Sequence, residues 1–152
     1  MPAVPLTRQT LADFTGRVEA LKSDSQRKFG KMSIEQMLKH LRNAHEVALG
    51  EKTMVDESKP ILRNVLFFVI ARVMTTWPGG RIKAPDYWSP PADFDFDGER
   101  KGLLSAMKRF TEALEKTPEK VAVHPMLGPL TMRKWSQLNG AHINHHMRQF
   151  GV

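Results

Sequence analysis

The sequence predicts an all-α fold in one domain covering residues 1–152, and three observations carry that expectation. Apolar residues recur at three- and four-residue spacing in five stretches. Those stretches are separated by recognisable helix starts and stops. No segment alternates apolar and polar residues over a useful length, so no strand is expected. Helices of roughly 15 to 20 residues joined by two or three longer connections imply a helical bundle. A chain of this length buries a sizeable core without staples, and it contains no internal repeat or low-complexity tract.

The first helix is expected from about Thr7 to Ser23, where Leu11, Phe14, Val18 and Leu21 share one face. Ser33-Ile-Glu-Gln36 has the Ser-x-x-Gln form of a capping box and announces the second. That helix lines up Ile34, Met37, Leu41, Ala44 and Ala48 and stops at Gly50. Pro60 opens the third, which ends at Trp77-Pro-Gly-Gly80. The fourth starts at an Asp97 N-cap, carries Leu103, Met107, Phe110 and Leu114, and ends before Pro118. The fifth runs from Thr131 nearly to the C-terminus. Between Pro78 and Asp97 lies a connection long for a compact domain, with four prolines and the aromatics Tyr87, Trp88, Phe94 and Phe96. Its aromatics favour an ordered loop packed on the bundle.

Composition removes several function classes. Without cysteine there are no disulfides, no thiolate nucleophile and no Cys-ligated metal, which suits a reducing, cytoplasmic location. The opening MPAVPLTRQTLADF lacks a basic segment followed by an apolar run, so no signal peptide is expected. The most apolar stretch, Ile61–Met74, holds Arg63 and Arg72 and falls short of the roughly 20 residues a spanning helix needs. It reads as a buried core helix, and no membrane partner is expected. The net charge of +7 is scattered along the chain, and its densest patch, Arg27-Lys28-Phe29-Gly30-Lys31, sits in a turn. With no stacking aromatics or recognition helix beside it, no specific nucleic-acid partner is expected.

Half of the six histidines fall within AHINHHMRQF, Ala141–Phe150. At about 100° per residue, His142 and His146 point about 40° apart, near the middle of the helix's inward sector, with His145 at its edge. Imidazoles one turn apart form a natural two-toothed metal clamp. The alternative is a hydrogen-bonded pair of core histidines, each ring needing a partner for its donor and its acceptor. A third ligand could come from the second helix, where His40 and His45 flank the apolar stripe on opposite sides and periodicity does not separate them. His124 falls in VAVHPMLGPLT, an expected loop, and reads as an ordinary loop residue.

Met37-Leu38-Lys39-His40 together with His142-Ile-Asn-His145-His146-Met-Arg148-Gln149 resembles the DinB/YfiT-like metalloenzyme superfamily. Lys28-Phe-Gly-Lys31-Met-Ser, and His124-Pro-Met-Leu-Gly-Pro-Leu-Thr131 followed by Trp135, look like a subgroup of that superfamily whose function is unknown. The resemblance implies a four-helix-bundle core with an additional helix and a long ordered loop. It also implies one divalent ion, zinc or nickel, held by His40, His142 and His146, with His45 and His145 in supporting or surface roles. Many members end the last helix with His-Arg-Gly-Gln, whereas this chain has His146-Met-Arg148-Gln149, which leaves the roles of Arg148 and Gln149 open.

Three imidazoles leave coordination positions for water or substrate. The function this implies is a metal-dependent enzyme acting on a small-molecule substrate, of hydrolase or thiol-dependent transferase type. The alternative is a non-catalytic metal- or ligand-binding stress protein. A homodimer is a reasonable assembly. No catalytic acid or base is assigned: Glu46 follows His45, but His-Glu-x-x-His is absent. Asp93-Phe-Asp95-Phe-Asp97-Gly98 copies the start of an EF-hand loop, yet Leu104 stands where the bidentate Glu belongs, so these aspartates read as turn formers.

Overall fold

The structure, a computed structural model, describes residues 4–73, 90–91 and 95–152. Five α-helices appear among the described residues: α1 Leu11–Glu19, α2 Ile34–Leu49, α3 Arg63–Val73, α4 Phe96–Lys116 and α5 Met132–Gln149. A small antiparallel hairpin, β1 Val121–His124 and β2 Gly128–Thr131, stands between α4 and α5. No helix among the described residues is long and apolar enough to cross a membrane.

Local chemistry fixes the helix starts. The Ser33 side chain accepts from the Gln36 amide while the Gln36 side chain accepts from the Ser33 amide, so both donors are satisfied reciprocally. Gly50 closes α2 in the left-handed region at φ 79°. Thr131, at the end of β2, caps α5. The N-cap of α4 is Asp95, not Asp97: its side chain accepts from the Gly98 amide at 2.8 Å, which brings Asp97 into the first turn. Helix α1 is shorter than its apolar spacing suggests. Before it, Thr10 Oγ1 donates to the Pro5 carbonyl and accepts from the Thr7 amide, and these side-chain bonds hold Thr7–Thr10 as turns.

Helix directions follow from the contacts at their ends. The amide of Leu6 donates to the Ser136 carbonyl and Arg17 reaches Asn144, so α1 runs alongside α5 in the same sense. Phe29, ahead of α2, meets Gln149 at the end of α5, while Lys120, bonded to the Leu49 carbonyl, also accepts from the Met132 amide. Helices α2 and α5 are therefore antiparallel. Lys39 and Arg42, in the first half of α2 and at its middle, pair with Glu99 in the first turn of α4, and Glu51 just beyond α2 pairs with Arg109 further along α4, so these two run parallel. Parallel neighbours need a connection that returns the chain by a helix length, about 24 Å for sixteen residues. That requirement accounts for the long stretch between α2 and α4. The core between α1, α2, α4 and α5 is built from Leu21, Leu38, Leu41, Met107, Phe110, Trp135 and Ile143, all buried.

Two expectations are corrected. VAVHPMLGPLT is a hairpin rather than a loop, with Val121 opposite Thr131 and His124 opposite Gly128. Four-residue strands with Pro129 in one of them are too short to show alternation, and their pairing is completed by packing on α5, where Trp135 Nε1 donates to the Ala122 carbonyl. Helix α3 is not a buried core helix. Leu66, Phe67 and Ile70 lean on the core, but Val65 and Phe68 are about as exposed as they are buried, at 62% and 60%. On the side of this apolar helix that faces α5, the Lys134 ammonium lies over the Phe67 ring. The expected end of the third helix at Trp77–Gly80 lies outside the described residues, as does most of the Pro78–Asp97 connection, including Tyr87, Trp88 and Phe94.

Gly140 marks a close approach between α5 and the N-terminal segment. A Cβ there would collide with the Val4 carbonyl oxygen and come within 2.9 Å of the Leu6 amide nitrogen. In an open helix Gly→Ala gains up to about 1 kcal/mol. Here Gly140→Ala is expected to lower stability by about 1–3 kcal/mol, because the N-terminal segment must be displaced. Urea unfolding checks this, and an unchanged or raised midpoint would show that Val4–Leu6 is not docked on α5.

Candidate metal centre

The antiparallel packing of α2 on α5 brings His40 opposite His142 and His146. Nε2 of His40 lies 2.7 Å from Nε2 of His142, and Nε2 of His146 lies 3.2 Å from the same atom. The candidate ligand atoms of the three residues all fall within 4.8 Å of one another. The rings stand edge to face or tilted, with centroids 4.6, 5.1 and 4.9 Å apart. His40 and His146 are buried, while His142 is only partly covered. Behind His146, its Nδ1 is 2.7 Å from Gln149 Oε1.

The remaining histidines stay outside this cluster. His45 points into the apolar interior against Phe110, and its Nδ1–H donates to the Leu41 carbonyl at 2.7 Å. His145 sits beside His146 on the flank of α5, against the Phe29 ring. His124 caps the hairpin: its Nδ1 accepts from the Met126 and Leu127 amides, and its ring leans on Trp135. It is therefore a structural residue of the turn rather than an ordinary loop position. Arg148 faces outward and Gln149 inward, which separates the two residues that the sequence leaves undecided. Asn139, one turn before His142, is fully buried, and neither of its amide atoms has a hydrogen-bond partner among the described residues. Its spacing from His142 and His146 places it on the same inward line, a signal legible in the sequence but easily passed over for a neutral side chain.

Proton counting tests whether these residues suit an ion. A neutral imidazole has one N–H and one lone pair. The single proton or lone pair on His142 Nε2 can be matched to only one of its two nitrogen neighbours, so at least one of the two short contacts is left without a proper hydrogen bond. Adding a proton is opposed. His142 and His146 are both held well below the ordinary imidazole pKa, first by burial and then by charge on His40 and the other nearby histidines. A cation removes the conflict by accepting all the lone pairs at one centre. Zinc–nitrogen bonds of ~2.0–2.1 Å place tetrahedral ligand nitrogens about 3.3 Å apart. The 3.2 Å separation matches that edge, and 2.7 Å requires a small opening. The three residues could hold a metal ion, with the remaining pair of nitrogens, within 4.8 Å, drawing in as it binds.

Fold and site together define a class: a helical protein with a small hairpin, whose buried histidine cluster could hold a metal ion. The chain belongs to the DUF1569 family, described as a protein family of unknown function, whose model matches residues 4–151. No curated protein and no solved structure matches it.

The buried histidines also set a pH dependence. Burial lowers the His45 pKa from 6.5 to about 4, only partly countered by its bond to the Leu41 carbonyl and the charge of Glu46. Above pH 6.5 the ring is neutral in both folded and unfolded chains. Below that the unfolded chain takes up the proton first, so stability falls between pH 6.5 and about 4. For this one group the loss is on the order of 3 kcal/mol, and His142 and His146 add to it in the same direction. Denaturant midpoints measured in chelator from pH 8 to 4.5 should decline from about pH 6.5, less steeply for His45→Leu. A midpoint flat across that range would contradict the burial of these rings as neutral groups.

Proposed function

We propose that this protein is a metal-dependent enzyme acting on a small molecule, with one divalent ion, zinc or nickel, held by His40, His142 and His146. One observation carries the reading: three ring nitrogens converge where protons cannot satisfy them all. An all-imidazole set suits zinc and nickel. An ion bound by three side chains supplies Lewis acidity and keeps room for a water or a substrate atom. Burial of His40 and His146 holds two ligands rigidly, and the partial exposure of His142 marks the side from which a small molecule would approach.

The reading includes the fold. We take α1, α2, α4 and α5 as the four-helix core of a DinB/YfiT-like bundle and α3 as its additional helix. Support comes from the mutual packing and directions of these helices and from the motifs that resemble that superfamily at both ends of the chain. By the same resemblance the reaction is hydrolysis or thiol-dependent transfer. The burial of two of the three histidines also favours a second reading, in which the ion is bound without turnover as part of a metal- or ligand-binding protein.

The test is elemental analysis of untagged protein never exposed to a nickel column. Near-stoichiometric zinc or nickel is expected in the parent and in His145→Ala, with loss of at least half the metal in His40→Ala, His142→Ala and His146→Ala. Absence of metal from the parent, with no uptake on reconstitution, would sink the proposal. Cobalt substitution then separates the two readings. A visible spectrum that shifts on addition of a small thiol or azide supports an open, enzyme-like site, and an unresponsive spectrum supports binding without turnover.

A further inference from the structure

The Lys28–Lys31 segment lies outside the metal cluster, yet its backbone is bonded to the end of α5 at two points. The Lys28 amide donates to the Gln149 carbonyl at 2.8 Å, and Gln149 Nε2 donates to the Phe29 carbonyl at 2.9 Å. A carbonyl oxygen can only accept, so the second bond fixes which way round the Gln149 amide lies. Its Oε1 must then face His146 Nδ1, 2.7 Å away. An amide oxygen also only accepts, so that ring nitrogen carries the proton. The remaining nitrogen of His146, Nε2, is left as a bare lone pair, and it is the atom that lies 3.2 Å from His142 Nε2.

The packing around Gln149 leaves it little choice. The residue is buried, only 3% exposed. Gly30 sits at φ 80°, a conformation that disfavours side chains, and any Cβ there would collide with Gln149 Nε2. The Phe29 ring covers His145, the neighbour of His146. The loop thus supplies a carbonyl, an amide and the space left by a missing side chain, and all three act on one glutamine.

We propose that Gln149, clamped by the Phe29–Gly30 backbone, is a positioning residue for the histidine cluster: it holds His146 in the Nδ1–H tautomer with Nε2 aimed at the shared centre, and so sets the site's affinity for a divalent ion. The inference rests on the metal reading above, but its tautomer half does not need an ion. Partners behind ligating histidines typically account for 10–100-fold in metal affinity. Gly30 touches no ligand, so an effect of Gly30→Ala on metal binding would have to pass through Gln149.

The experiment uses the full chain and two readouts. Long-range 15N–1H correlation spectra of metal-free protein report the tautomer of His146, and competition with a chromophoric chelator reports zinc affinity. The parent should show a single Nδ1–H tautomer. In Gln149→Leu the tautomers should mix and zinc affinity should fall about 10–100-fold. Gln149→Glu, which keeps an acceptor toward Nδ1–H, should remain closer to the parent than Gln149→Leu. Gly30→Ala should weaken zinc binding in the same direction as Gln149→Leu. Should Gly30→Ala fail to fold, the two Gln149 variants decide alone. Parent-like tautomer and affinity in a folded Gln149→Leu would overturn the proposal. A parent that binds no zinc would overturn the metal reading and the affinity half of the proposal together, and the tautomer spectra would then judge the positioning half independently.

Discussion

The constraint on which the site depends is a shortage of protons. Three imidazoles that converge inside a helical core cannot each find a donor and an acceptor among themselves, and burial opposes adding further charge. The fold nevertheless holds them there. Helices α2 and α5 are antiparallel, so that the middle of one faces the last turns of the other, and the hairpin and the Lys28–Lys31 segment pin that register from opposite ends. The charged pairs between α2 and α4, Lys39 and Arg42 with Glu99, keep the opposite flank of α2 in place. Slippage of α5 by one turn would separate His40 from both partners.

Much of the architecture was legible because helix signals are local. The Ser33 box, the Gly50 stop and the Thr131 start depend on residues three or four positions apart, and the structure reproduces all three. The hairpin was not legible: its strands are four residues each and are completed by contacts with α5, which sequence periodicity cannot register. Helix α3 misled for the opposite reason. Its residues are apolar on every side, which reads as full burial, but its position on the outside of α5 leaves Val65 and Phe68 largely uncovered.

The site divides in the same way. The one-turn spacing of His142 and His146 is a local fact and was readable as a clamp. Spacing alone could not choose between His40 and His45, because both flank the same stripe and only tertiary packing decides which faces α5. The motif resemblance pointed to His40, and the geometry brings that residue to the cluster while His45 turns toward Phe110. The role of Gln149 depends on a backbone carbonyl 120 residues away, so no reading of the last helix by itself could have found it.

The distance along the chain between the clustered histidines carries one more consequence. His40 and His142 are 102 residues apart in sequence. An ion that joined them would close a loop comprising most of the chain, acting as a cross-link in a protein that has no cysteine. In the chain-entropy view, tying together ends about 100 residues apart restricts the unfolded ensemble by roughly 4–5 kcal/mol, the scale of a disulfide bond. Unlike a disulfide, such a link would not be cut by reduction. It would respond instead to metal supply and acidity, so the persistence of the folded chain would follow the ionic conditions around it rather than their redox potential.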